Sequence, residues 1–158
     1  MEVSKPRPQK SARDCALSLL EYRDRTEWEL SGKLAEQGYE PEEIQETLTF
    51  LKEYHYVDDA EYTRRYISAA SSRKSIRRIR QELIQKGVDR EILDAGFEEA
   101  EIDEEALIRS CLRKKGYQPG QRMEEGAYRK MMASLSRKGF SFDGIRRAME
   151  GMGEASEW

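Results

Sequence analysis

One short pattern occurs three times in the chain and constrains its fold more than any other feature. Each copy reads Leu-x-x-x-Gly followed by an apolar residue, and the three glycines are Gly38, Gly87 and Gly139. They lie about fifty residues apart, a period typical of helical repeat proteins. Glycine after a leucine row indicates a helix C-terminus, because glycine adopts the left-handed conformation that ends a helix. The pattern therefore predicts three tandem repeats.

The first repeat contains the signals of three helices. Apolar residues recur at helical spacing from Ala12 to Leu20 and predict the first helix. Thr26 and Glu29 form a potential capping box at the start of the second helix. Pro41 has the fixed backbone that suits the first turn of the third.

The same order of signals returns twice. Asp58, Ser75 and Ser141 are placed to cap later helices with their side-chain oxygens, and the third copy starts at Asp103. The fourth helix carries an apolar row, and each third helix carries an isoleucine after the glycine. The row comprises Tyr62, Tyr66, Ala69 and Ala70, and the isoleucines are Ile44, Ile92 and Ile145.

These signals predict an all-α fold of three tandem three-helix repeats that form an elongated, curved helical array. The predicted segments are 1–10 as a basic arm, 11–57, 58–100 and 101–152 as repeats one to three, and 153–158 as a C-terminal tail. With 37% hydrophobic and 37% charged residues, several thin cores fit the composition better than one thick core.

The sequence carries no recognisable catalytic or cofactor motif. There is no phosphate-binding glycine loop or nucleophile motif, and the single histidine, His55, is interpreted as a helix-end residue. Cys15 and Cys111 are predicted to be reduced core thiols, with a redox or metal role as the alternative. We therefore expect a protein that is not an enzyme and binds neither cofactor nor metal. No apolar stretch is long enough to span a membrane, so a cytoplasmic location is expected.

A basic run in the second repeat is the best candidate for a binding site. Five cations occupy eight positions, and the candidate residues are Arg73, Lys74, Arg77, Arg78 and Arg80. At 100° per residue, Arg77 and Arg78 lie opposite the apolar row of their helix and should face outward. Such a face suits phosphate oxygens or the carboxylates of a protein partner. The alternative is a solvated face neutralised by Glu61, Glu82 or acidic residues of the next repeat.

Other charged segments are assigned structural roles. The pairs Arg137-Lys138 and Arg146-Arg147 and the triplet 113–115 lie near helix ends, where cations are favoured by the carbonyl dipoles. The acidic run at 98–105 is predicted to be a solvated connector between repeats two and three.

In its order of motifs the chain resembles the RecX family from about Ser11 to Met152. The stretches that carry the resemblance are ALSLLEYR at 16–23, TEWEL at 26–30, KL at 33–34, YVDDAEY at 56–62, RRI at 77–79, EL at 82–83 and KGV at 86–88. Ser75 stands where the family pattern has glycine, and the third repeat matches more loosely. The surface of the third repeat is therefore less well defined by the resemblance.

The resemblance implies a regulator of the RecA recombinase in DNA recombination, DNA repair and the SOS response. Such a protein binds RecA and its filament on single-stranded DNA and restrains filament extension, ATP hydrolysis and strand exchange. We expect a monomer, with weak direct DNA binding as a further property. Two alternatives stay open: a DNA-binding protein or transcriptional regulator that uses the basic helix, and an interaction module for an unrelated partner. Against the first, the formal charge is −3, from 28 Lys and Arg and 31 Asp and Glu residues.

Overall fold

The computed structural model describes residues 10–155, with side chains described up to residue 153. Within this range the chain is all helical, with nine α-helices and no strand. The helices are α1 Ala12–Tyr22, α2 Glu27–Glu36, α3 Pro41–Glu53, α4 Asp59–Ala70, α5 Ile76–Gln85, α6 Arg90–Ala100, α7 Glu104–Lys114, α8 Glu125–Arg137 and α9 Phe142–Ala155. The basic arm lies outside the described residues except for Lys10. Residues 153–155 of the predicted tail belong to α9, and the rest of the tail lies outside the described residues.

The chain divides into two compact units. The first unit comprises the described residues up to Tyr66 together with Leu83–Gly96. The second comprises Ile67–Glu82 together with the described residues from Phe97 onward. All of the first repeat therefore belongs to the first unit and all of the third repeat to the second, while residues of the middle repeat contribute to both.

The core of the first unit is formed by the three helices of the first repeat. Its central side chains, Leu30, Leu34 and Leu51, are completely buried, and each contributes about 2 kcal/mol by leaving water. Ile44 and Leu48 complete the buried row of α3. The predicted apolar faces of α1, α2 and α3 therefore meet in one small core.

The core of the second unit belongs to the third repeat. It is built from Ile108 and Leu112 of α7, Met131 and Leu135 of α8, and Ile145 of α9, each at most 2% exposed. Cys111 lies in this core as a free thiol and Cys15 is half-buried beside the first core, also free. The ten-residue connection between α7 and α8 is longer than its equivalents, as the sequence predicts.

The helix caps predicted at Thr26, Asp58, Ser75 and Ser141 are confirmed, and Asp103 forms a further cap. Thr26 and Glu29 form a reciprocal capping box at the start of α2. The side chains of Asp58, Ser75, Asp103 and Ser141 each accept a hydrogen bond from the backbone N–H three residues later. Each cap satisfies a backbone donor that has no partner inside its helix, so the helix starts are encoded locally.

Two details of the predicted core are wrong. In α4 the buried row is Thr63, Ile67 and Ala70, whereas Ala69 is exposed. The rows beginning at 62 and at 63 both have helical spacing. Counting Thr63 as a polar residue makes the row from Tyr62 look more apolar, although the row from Thr63 is the buried one. In α6 the fully buried residue is Leu93 rather than Ile92. Leu93 follows Gly87 by the same interval that separates Ile44 from Gly38.

Candidate functional site

The basic helix α5 begins at a residue that is buried against another helix end. Ser75 is 1% exposed, and its hydroxyl accepts the N–H of Arg78 at 3.0 Å. The Ser75 N–H donates to the carbonyl oxygen of Lys138 at 2.9 Å, just after α8 ends. These bonds attach the N-terminus of α5 to the C-terminus of α8 within the second unit.

Gly139 allows this close approach. Its φ is +94°, and a Cβ at this position would overlap the Ser75 hydroxyl and lie 2.8 Å from the Cβ of Arg78. Beside it, the guanidinium of Arg78 donates to the carbonyl of Arg137 at 2.8 Å. The basic run of the second repeat and the Arg137-Lys138 pair, 59 residues apart in sequence, therefore lie in direct contact. The sequence assigned them separate roles, because no local pattern connects them.

Glu82 neutralises part of the predicted site. The ammonium of Lys74 lies 2.8 and 2.9 Å from the two Glu82 carboxylate oxygens, and Nε of Arg78 lies 3.5 Å from one of them. Lys74 and Glu82 are both less than a third exposed. For Lys74 and Arg78, neutralisation by Glu82, which was one part of the alternative interpretation, is therefore observed. Glu61 instead pairs with Arg64 and Arg65 of its own helix.

The remaining cations of the run differ in environment. Arg80 is half-buried, with its guanidinium carbon 5.1 Å from the centroid of the Phe97 ring. Arg73 and Arg77 are exposed and make no ion pair with any residue that the structure describes. We call Arg73, Arg77, Arg78 and Arg137 the basic surface, since all four are exposed. Within it, Arg73 and Arg77 can contact a partner without first breaking an ion pair with a described residue.

The first unit contains the same junction at the start of α2. The hydroxyl of Thr26, the N-cap, donates to the carbonyl of Lys86, and a Cβ on Gly87 would overlap the Cβ and Cγ of Trp28. Gly87, with φ of +82°, follows α5 as Gly139 follows α8. In both units the N-terminus of one repeat's second helix thus packs on the glycine turn of the next repeat.

A carboxylate of the next repeat completes each junction. Asp59, the first residue of α4, accepts the N–H of Glu27, the first residue of α2, at 2.9 Å. Glu104, the first residue of α7, is within 3.4 Å of the N–H of Ile76, the first residue of α5. Glu104 was assigned to a solvated acidic connector, but it is half-buried and has this specific contact.

Two carboxyl groups at the first junction have shifted pKa values. Burial raises the pKa of Asp59, and the negative charges of Glu27, Asp89 and Asp58 add to this effect, although the Glu27 N–H opposes it. Burial also acts to raise the pKa of Glu29, but the Thr26 N–H outweighs it together with Arg23 and Lys86. The net pKa of Glu29 is lowered, so the pKa values of the two carboxyl groups shift in opposite directions.

The cleft beside the single histidine is small. A cleft of about 140 Å³ in the first unit is lined by residues that include Asp24, His55 and Tyr62, a volume below that of ordinary ligand pockets. His55 is exposed, with φ of +59°, just after α3. Among the described residues no group of three or more His, Cys, Asp or Glu side chains is arranged to hold a metal ion. No described helix is both long and apolar enough to cross a membrane.

The fold defines a tandem helical-repeat protein built from three-helix units. Models of the first, second and third three-helix domains of RecX match residues 12–51, 58–96 and 103–149. The chain therefore belongs to the RecX family.

Curated relatives and solved structures agree with this assignment. The regulatory protein RecX of Vibrio vulnificus (strain CMCP6) is 34% identical over 143 residues, which cover 90% of this chain and 93% of the relative. RecX of Cronobacter sakazakii (strain ATCC BAA-894) is 37% identical over 65% of this chain and 68% of its own. A crystal structure of regulatory protein RecX superposes with a TM-score of 0.70 at 26% identity, covering 88% of this chain and 71% of that chain. RecX from Lactobacillus salivarius has the same fold, with a TM-score of 0.67 at 22% identity over 89% of this chain and 94% of its own.

Proposed function

We propose that this protein binds RecA and its filament on single-stranded DNA and restrains filament extension, ATP hydrolysis and strand exchange in recombination and repair. Membership of the RecX family of regulatory proteins, with matches to all three domains, is the observation that carries the proposal. In this role the protein performs no chemistry of its own. It changes RecA activity by binding one state of the filament more tightly than another.

The basic surface is proposed to supply part of the contact. Arg73 and Arg77 can form charge-assisted hydrogen bonds with carboxylates or phosphates without breaking an ion pair with any residue that the structure describes. Lys74 and Arg78 would first have to leave Glu82. We therefore assign the main contribution to partner binding to Arg73 and Arg77. Arg80 contributes less, because its guanidinium already packs on the Phe97 ring.

Direct DNA binding by the same surface is the second candidate, because unpaired exposed arginines also fit phosphate oxygens. Reading of bases by a helix-turn-helix is disfavoured, since that mode needs the N-terminal residues of the recognition helix in the major groove. The backbone ends of α5 and α2 pack on the Gly139 and Gly87 turns, and their first N–H groups contact Glu104 and Asp59, although side chains such as Arg77 stay exposed. Any DNA contact is thus expected to be to the backbone.

The proposed function is tested by RecA ATPase on single-stranded DNA, with and without this protein, together with co-sedimentation of the protein with the filaments. We expect the protein to sediment with the filaments and to lower the rate of hydrolysis. Unchanged hydrolysis and absence of the protein from the filament pellet would contradict the proposal. Binding to bare DNA alone would favour the second candidate.

The contribution of the basic surface is tested by the double variant Arg73→Glu/Arg77→Glu. We expect it to keep its helical circular dichroism and melting temperature and to bind filaments about tenfold more weakly, because two charged contacts become repulsive. Lys114→Glu/Lys115→Glu is the matched control, since it changes the same charge at two exposed positions. Equal losses in both variants would assign the effect to net charge rather than to this surface.

A further inference from the structure

Three aromatic rings lie together at the C-terminal end of α3, and two of them are exposed. Tyr54 and Tyr56 are 62% and 54% exposed, and Phe50 lies between them with ring centroids 4.8 and 6.3 Å away. The buried row of α3, which includes Leu48 and Leu51, points to the other side of the helix. Phe50 is partly buried against the core of the first repeat, whereas the rings of Tyr54 and Tyr56 remain largely exposed.

Acidic side chains lie beside these rings. Glu46, Phe50 and Glu53 follow one another at helical spacing, so they share one face of α3. They line a cleft of about 520 Å³ together with Arg13 and Tyr54, which we call the α3 cleft. Glu46 and Glu53 are exposed and form no ion pair with a described residue. Residues 36–53 contain six glutamates and one lysine, so the surroundings are strongly negative.

Arg13 shows what the ring face of this cleft can hold. Its guanidinium carbon lies 4.1 Å from the centroid of Phe50, a cation–π distance, and it makes no ion pair with a described residue. One internal cation thus covers one ring and leaves both glutamates and the Tyr54 ring available. The cleft combines an aromatic surface with unneutralised carboxylates, which together favour a second cation.

We infer that the α3 cleft receives a lysine or arginine side chain from the protein surface of the RecA filament, an inference that rests on the proposed function. The carboxylates of Glu46 and Glu53 pair with the cation, and the ring of Tyr54 packs against its alkyl or guanidinium part. Charge complementarity selects this occupant, because nucleic-acid phosphate at the same place would be repelled by both glutamates. The α3 cleft and the basic surface therefore meet parts of the filament that carry opposite charge.

The sign of a charge reversal tests the inference. Glu46→Lys/Glu53→Lys is compared with the unaltered protein by co-sedimentation with RecA filaments on single-stranded DNA. We expect binding to weaken by about tenfold, because attraction for the incoming cation becomes repulsion. Glu91→Lys/Glu150→Lys is the matched control, since both residues are exposed and the charge change is the same. The control should bind within about twofold of the unaltered protein.

The contribution of the aromatic ring to cation binding is tested at Tyr54. Because Tyr54 is exposed, its substitution should not disturb folding. Tyr54→Ala should weaken filament binding by about three- to tenfold, while Tyr54→Phe, which keeps the ring, should bind as the unaltered protein does. Unchanged melting temperatures show that both variants are folded.

The outcomes separate this inference from the proposed function. If the unaltered protein does not sediment with filaments, the proposed function is overturned and the inference with it. If it sediments and Glu46→Lys/Glu53→Lys sediments equally well, only the inference is overturned. Tighter binding by the lysine variant would show that the cleft faces an acidic surface or DNA, and would also overturn it.

Discussion

At the scale of single residues, Asp59 and Glu29 show how one junction affects two carboxyl groups differently. Burial raises the pKa of Asp59, so folding disfavours its ionised form. The destabilisation is fully present above the raised pKa and disappears below the ordinary carboxyl value of about 4. Glu29, with a lowered pKa, instead stabilises the fold above the ordinary value, and that contribution is lost as pH falls through its lowered pKa.

We predict that Asp59→Asn melts a few degrees above the unaltered protein at pH 7, because it keeps an oxygen for the Glu27 N–H and removes a buried charge. The difference should shrink as pH falls towards about 4, where Asp59 is also becoming neutral. Glu29→Gln should change the melting temperature in the opposite direction. We expect it to melt below the unaltered protein at pH 7, and the two melting temperatures should converge in acid. Thermal melts followed by circular dichroism between pH 7 and pH 4 test Asp59→Asn, and melts continued below pH 4 test Glu29→Gln, because its contribution is lost only as pH falls through the lowered pKa. A gap for Asp59→Asn that does not change with pH would contradict the assignment.

At the scale of elements, the recurring unit is a pair of helix ends from neighbouring repeats. A capped N-terminus, of α2 or α5, packs on the glycine turn that follows the next repeat's second helix. The carboxyl groups of Asp59 and Glu104 accept the first N–H of these helices, a donor that has no partner inside the helix. The glycine in each Leu-x-x-x-Gly pattern after the first therefore has two functions, to end its own helix and to allow contact with the preceding repeat.

We predict that Gly87→Ala and Gly139→Ala destabilise the protein more than Gly116→Ala does. All three glycines have positive φ, so each alanine costs about 1 to 2 kcal/mol of backbone strain. At Gly116 no described atom lies within 4 Å of the added Cβ, whereas at Gly87 and Gly139 it overlaps Trp28 or Ser75. The excess is expected to be about 1 to 3 kcal/mol in urea unfolding. Equal losses at all three positions would mean that the junctions adapt without cost.

At the scale of the whole molecule, charge is distributed unevenly although the net charge is only −3. The α3 cleft of the first repeat lies in acidic surroundings, whereas the basic surface combines residues of the second and third repeats. A charge that is nearly balanced in total therefore hides two local surfaces of opposite sign. Binding through both should weaken as salt screens them.

We predict that combining Arg73→Glu/Arg77→Glu with Glu46→Lys/Glu53→Lys does not restore filament binding. The four changes cancel, so the quadruple variant keeps the net charge of −3. If each surface acts locally, the two losses multiply to about a hundredfold, since the free-energy effects of independent sites add. Co-sedimentation at two salt concentrations measures the affinity. Recovery to the affinity of the unaltered protein would instead show that net charge alone controls binding.

Most helix limits were predictable because their signals are local. The capping box of Thr26, the N-cap at Ser75 and the glycine turns act within three or four residues of the backbone they satisfy. The buried face was harder to predict in helices where two rows of residues have helical spacing. Ala69 and Ile92 were predicted to be core residues, but Ala69 is exposed and Ile92 is only half-buried. Burial there depends on the rotation of a helix against its neighbours, which propensity and periodicity describe only to within one position.

The sequence predicted which segment carries the candidate site, but not which of its side chains are exposed and unpaired on the surface. The sequence by itself determined where the helices start and stop, how many repeats there are, and which helix carries the dense cations. Only the tertiary structure decided that Lys74 and Arg78 share Glu82, that Arg80 packs on Phe97, and that Arg73 and Arg77 remain available. The physical reason is range: a cap or a glycine turn is satisfied within one helical turn. The partners of a charged side chain, by contrast, are chosen among groups brought together by packing, such as Arg78 and the carbonyl of Arg137.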